Sequence, residues 1–133
     1  MSEKELKKIY DSKKEKLVKG EIIEGFKVIQ FSDFKRWFNK EIFEKGCNYC
    51  RTTNEESQKL TKLRPYATRG GKRGNRLELG RKDTNLPFDN LNNLVWCCYW
   101  CNNAKTNFFS EEEFIPVGRA IGESLREIMK KEL

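Results

Sequence analysis

Apolar positions in this chain recur at helical spacing in some stretches and alternate in others, and those two periods divide it into predicted elements. Residues 2–18 are dominated by Lys and Glu, with Leu6, Ile9, Tyr10, Leu17 and Val18 as a thin apolar stripe and Gly20 as the predicted helix stop. The stretch EIIEGFKVIQF sets β-branched and aromatic residues around Gly25 and reads as a short hairpin or extended arm. Ser32 predicts the cap of a helix running to about Lys45. Phe34, Trp37, Phe38, Ile42 and Phe43 share one face of it and Gly46 ends it. A stripe at that spacing packs inward as core rather than standing out as a platform for stacked bases.

Thr53 and Glu56 have the spacing of a capping box and start a short helix to about Leu63. RLELG alternates as a strand, TNLPFDNLNN is a turn-rich link, and LVWC is a second strand. Ser110 and Glu113 make another capping box. Pro116 suits a helix start, and Val117, Ala120, Ile121, Leu125, Ile128 and Met129 mark one face of a closing helix. No internal repeat or low-complexity tract interrupts these elements. With 133 residues the chain is of single-domain size.

Composition narrows the class. Charged residues make up 35% and the mean hydropathy is -0.83, yet nine Phe, three Trp and four Tyr supply buried anchors, so a folded protein is expected. No run has the roughly 18 apolar residues of a membrane span, and MSEKELKKIYDSKKEK lacks the apolar core of a secretion signal; the expectation is a cytoplasmic protein with no membrane partner. The formal charge of +7 suits a polyanion, because neutralised phosphates release counterions. YATRGGKRGNR concentrates that charge: Arg69, Lys72, Arg73 and Arg76 lie among three glycines and, with Arg64 just before them, are predicted phosphate contacts.

Five cysteines are an odd number for a disulfide framework, and four of them form two pairs, Cys47-Asn-Tyr-Cys50 and Cys98-Tyr-Trp-Cys101. Each knuckle can present two sulfurs to one tetrahedral zinc at about 2.3 Å. Four thiolates leave no open position, so the predicted ion is structural. The pairs lie too far apart for a short zinc ribbon, so the helix, basic loop and first strand form an insert between them. Cys97 points away from Cys98 by strand alternation and is expected to be a buried strand residue.

The segments RLELGRKD and NLVWCCYWCNNAKTNFFSEEEF resemble the HNH, or ββα-metal, endonucleases, and within them the histidine-lacking, PacI-like type. The resemblance covers about residues 45–118. It implies an α+β fold: a zinc-stabilised ββα-metal core, treble-clef-like, with flanking N- and C-terminal helices. One domain over 1–133 would then comprise an N-terminal helical extension (1–44), the zinc core (45–118) and a C-terminal helix (116–131). In that family a strand ends in Asp-His, a structural Asn precedes the second knuckle, and an Asn or His follows it. Here those positions fall on Gly80 and Arg81, on Asn93, and on Asn102, with Lys105 one turn further on as a phosphate contact.

Two departures shape the expected chemistry. The chain contains no His, and Arg81 cannot act as a base because a guanidinium stays protonated; it can clamp phosphate and stabilise developing charge. Gly80 removes the carboxylate that would bind Mg²⁺ or Mn²⁺. Glu78, two residues earlier on the same strand face, is one replacement, and Asp83 and Asp89 in the neighbouring loop are others. Tyr66 or a water at the ion would assist the attack. The implied function is a divalent-metal-dependent endonuclease cutting double-stranded DNA in a restriction or phage setting, with a homodimer open to it. The alternative is an HNH-fold module that has lost chemistry and binds nucleic acid or a protein partner.

Overall fold

The computed structural model describes residues 1–69 and 71–132; Gly70 of the basic loop and Leu133, the end of the expected domain, lie outside them. Helix α1 (Glu3–Ser12) starts where the Ser2 side chain accepts the Glu5 N–H, and it buries Leu6, Ile9 and Tyr10. The helix expected to reach residue 18 stops earlier. Residues Lys16–Val18 (β1) and Glu21–Ile23 (β2) instead pair antiparallel around Lys19 and Gly20, whose φ of 51° and 83° are what a two-residue primed turn requires. Gly25 therefore serves contact rather than turning: a Cβ there would lie 2.0 Å from the Lys13 carbonyl oxygen.

The aromatic stripe is carried by two helices, α2 (Phe31–Trp37) and α3 (Lys40–Glu44), not one. Asn39 divides them, because its side-chain oxygen accepts the Glu41 and Ile42 N–H groups and so favours a new helix start over continuation. The break leaves Ile42 57% exposed while Phe34 and Phe43 are buried. Trp96 meets Phe43 edge-on at 5.1 Å and Phe38 at 6.1 Å, so the aromatic part of the stripe packs inward as predicted and Ile42 does not.

Helix α4 (Asn54–Leu63) begins with the predicted capping box, Glu56 accepting the Thr53 N–H and Thr53 the Glu56 N–H. Strand β3 (Glu78–Arg81) pairs antiparallel with β4 (Leu94–Cys97), setting Glu78 opposite Cys97 and Gly80 opposite Val95. Helix α5 (Tyr99–Lys105) follows β4 directly, capped by Cys98.

Helix α6 (Glu111–Glu132) starts at the Ser110–Glu113 box, five residues before Pro116, which falls inside it on an exposed stretch. Its packed face also differs from the apolar periodicity: Phe114, Gly118, Gly122 and Leu125 are buried, whereas Ala120 is exposed. The glycines let the helix backbone approach the first knuckle. A Cβ on Gly118 would lie 2.7 Å from Tyr49 Cβ, and one on Gly122 2.9 Å from Cys50 Cβ.

The N-terminal elements are fastened to this core. Tyr10 stacks on Phe26 at 4.9 Å and its hydroxyl donates to Ile29 O at 2.6 Å. The Asp89 carboxylate accepts the Val28 and Ile29 N–H groups, each at 2.9 Å. No helix among the described residues is long and apolar enough to cross a membrane.

Candidate metal centre and active site

Cys47, Cys50, Cys98 and Cys101 are buried, unpaired by disulfides, and brought together so that their sulfurs lie within 4.8 Å of one another. Cys50 Sγ and Cys98 Sγ are 3.6 Å apart. A tetrahedral ion with bonds of about 2.3 Å needs neighbouring sulfurs about 3.8 Å apart, so the donor set fits zinc. The backbone favours negative sulfur at two positions: Tyr49 N–H points at Cys47 Sγ (3.5 Å) and Cys101 N–H at Cys98 Sγ (3.3 Å). Contact with Cys101 holds the Cys47 thiol far below the usual range, and contact with Cys47 pushes the Cys101 thiol up. Among the described residues no other group of three or more Cys, His, Asp or Glu is placed to hold an ion.

One turn beyond Cys98, Asn102 projects from α5 toward β3. Its Nδ2 donates to Glu78 Oε1 at 3.0 Å, so Glu78 does reach the region that Gly80 leaves open. Arg73 grips the same carboxylate side-on along one edge, Nε to Oε2 at 3.0 Å and Nη2 to Oε1 at 2.5 Å. It also reaches Asn103 Oδ1 at 3.3 Å and stacks on Tyr99 at 4.8 Å. The hydrogen bonds that Arg73 donates to Glu78 raise its own pKa further.

Gly80 has a local cause. A Cβ at this position would lie 2.9 Å from Cys97 Sγ and 3.2 Å from Asn102 Oδ1, so the fifth cysteine fills the space a side chain would need. Cys97 is buried as expected, and contact with Cys47 followed by burial pushes its thiol up. Around this point lies a cavity of about 210 Å³ lined by Gly80, Arg81, Asn102, Lys105, Phe88 and Lys13, among others. Arg81 stacks on Phe88 at 4.7 Å and donates to Leu86 O. Lys105 is 4% exposed and donates to Arg81 O at 3.3 Å; burial lowers its pKa.

The remaining sequence-predicted residues lie elsewhere. Asn93 is buried and organises the loop after β3, accepting the Asp83 N–H and donating to Asp83 O, each at 2.9 Å. Asp83 turns back on that loop to accept the Asn85 N–H, and Asp89 is consumed by the N-terminal segment. Tyr66 is 85% exposed and does not line the cavity. Lys72, Arg73 and Arg76 line a larger groove of about 860 Å³ that runs between α1 and the basic loop to Glu78 and Asn102. Arg69 is exposed on that loop with φ of 53°, and Arg64 is paired with Glu132 at 2.9 Å. The loop is fixed to α4: Ser57 donates to Gly74 O at 2.5 Å, and Leu77 N–H to Asn54 Oδ1 at 2.9 Å.

Sequence reasoning missed two participants. Lys13 comes from a Lys-rich stretch in which no residue stands out, and the diagonal approach of Cys97 Sγ to Gly80 across the hairpin has no motif. A second ion would find one carboxylate, Glu78, and the Asn102 side-chain oxygen. That meets the lower bound for magnesium, which takes one or two carboxylates and completes its shell with waters and substrate phosphate, although Arg73 competes for Glu78.

No family model matches the sequence, and no curated protein matches it. Among solved structures the chain is similar to that of the rare-cutting HNH restriction endonuclease PacI, with a TM-score of 0.58 and 25% sequence identity over 73% of this chain. It spans 64% of the length of that chain. The likeness supports an HNH-like relation for this protein, built as mixed helix and small sheets around a four-cysteine cluster suited to a metal.

Proposed function

We propose that the chain is an HNH-type endonuclease hydrolysing DNA phosphodiester bonds, with β3, β4 and α5 as its ββα unit and a structural zinc held by the four cysteines. The observation that carries this reading is the contact of Glu78 with Asn102 beside Gly80, with Arg73 on the carboxylate and Arg81 and Lys105 in the adjoining cavity. Similarity to a DNA-cutting HNH enzyme agrees with it.

The basic loop would lay Lys72, Arg73 and Arg76 along a duplex backbone, contacts that position DNA without reading its sequence. A phosphate entering the cavity meets Arg81 and Lys105, which neutralise charge as it develops on the oxygens. Arg73 can turn from Glu78 to the phosphate, because both offer its fork the same planar pair of oxygens. That frees the one carboxylate beside Asn102. Glu78 and Asn102 would hold a divalent cation there, which would supply Lewis-acid polarisation of the phosphate. With no His in the chain and Tyr66 away from the cavity, Glu78 is also the group that can orient or deprotonate the attacking water.

A second reading has its own support. Gly80 offers no carboxylate and Glu78 is neutralised by Arg73, as suits a module that only binds. Plasmid DNA incubated with zinc-loaded protein in Mg²⁺ or Mn²⁺ separates the two. Nicked or linear product, reduced on the order of 100-fold or more in Glu78→Gln, is expected for the nuclease. Wild-type protein that binds the plasmid and leaves it intact contradicts the nuclease and favours the binding module.

A further inference from the structure

Lys13 belongs to none of the motifs, yet its position is among the most constrained in the N-terminal segment. It ends α1, its N–H donates to Tyr10 O at 3.0 Å, and its carbonyl accepts the Phe26 N–H at 2.7 Å. Gly25 makes the second contact feasible, since a Cβ there would strike that same carbonyl. Backbone held this way aims one side chain reproducibly.

The side chain it aims is half-buried and lines both the groove beside the basic loop and the cavity at Gly80. Its ammonium sits 4.9 Å from the centre of the Phe88 ring, the same ring that Arg81 covers at 4.7 Å. Among the described residues it has no carboxylate within salt-bridge distance. Burial lowers its pKa; of the charged groups facing it, Glu78 opposes that lowering while Arg73, Arg81 and Lys16 add to it. A lysine placed among like charges, with the Glu78 carboxylate that it faces already paired with Arg73, gains little folding stability from its charge.

We infer that Lys13 is a phosphate ligand of the site, delivered by the N-terminal segment to the same DNA phosphate region that Arg81 and Lys105 face. The inference rests on the DNA-directed reading above and adds a residue to it. It also gives α1 a role beyond packing: one wall of the groove would be supplied by residues outside the zinc core.

Binding of a short DNA duplex to the zinc-loaded full chain, followed by fluorescence anisotropy over a range of salt without added magnesium, provides the test. Lys13→Met keeps the stem on Phe88 and removes the charge; it is expected to lower the slope of log affinity against log salt by about one. Lys13→Arg should restore the slope, and Lys130→Ala, on the exposed end of α6, should leave it at the wild-type value. A wild-type slope in Lys13→Met overturns the inference while leaving DNA binding intact. Wild-type protein with no salt-dependent DNA binding overturns both this and the proposed function. Should Lys13→Met melt early, amine acylation of the wild-type protein decides instead: DNA is expected to protect Lys13 severalfold, and equal labelling with and without DNA refutes the assignment.

Discussion

At the scale of single residues, the feature that most distinguishes this site is the exchange of a side chain at position 80 for the thiol of Cys97. The φ of Gly80 lies outside the left-handed region, so glycine is needed there for space and not for backbone freedom. Gly80→Ala should therefore destabilise the protein by about 1–3 kcal/mol through overpacking. Cys97→Ala in the same chain should recover most of that loss, because the two sites share one volume. Urea unfolding of both single variants and the double checks this; additive losses would show that the clash lies elsewhere. The same geometry explains why the carboxylate moves to Glu78: it points to the same face of β3 and its longer side chain spans the gap to Asn102.

At the scale of elements, Asp89 is the clasp between the core loop and the N-terminal segment. Burial alone would push its carboxyl up, but the N–H groups of Ile29, Val28 and Lys27 outweigh that and hold it below the usual carboxylate range. A depressed folded value means stability that is complete above the unfolded value of about 3.9 and drains away as pH falls through the folded one. Asp89→Asn should cost about 0.5–1 kcal/mol at neutral pH, a figure reduced for solvent screening because both hydrogen bonds lie at or near the surface. The wild-type advantage should persist from pH 7 to about pH 4 and shrink only below it; shrinkage already between pH 7 and 5 would contradict the assignment.

Elements with local signals were legible in the sequence. Capping boxes at Thr53 and Ser110 marked two helix starts, alternation in RLELG found β3, the apolar run LVWC found β4, and paired spacing found the cysteine cluster. What escaped depended on competition or on distance. Asn39 capping broke a continuous-looking stripe, Lys19-Gly20 took the turn from Gly25, and the Ser110 box started a helix ahead of Pro116. At the candidate site, Asn102 and Glu78 were nameable, but not the grip of Arg73 or the approach of Lys13. Both are contacts between segments that no local pattern encodes.

At the scale of the whole molecule, the four-cysteine cluster ties the first knuckle to β4 and α5, while α6 lies against the knuckle through Gly118 and Gly122. Structural zinc in such sites carries roughly 10–16 kcal/mol of folding free energy, comparable to the entire stability of a small domain. Metal analysis should find one zinc per chain, and a strong chelator should collapse the circular-dichroism spectrum; a spectrum unchanged after metal is removed would contradict the role given to the cysteines. With that frame in place, Glu78 and Asn102 are neighbours and should work as one unit.

A double-mutant cycle of DNA cleavage tests that unit most directly. Glu78→Gln and Asn102→Ala are each expected to slow plasmid cutting on the order of 100-fold, and the double variant to be little worse than either, as for residues that act together. Losses that multiply, or single variants that cut at the wild-type rate, would contradict the account.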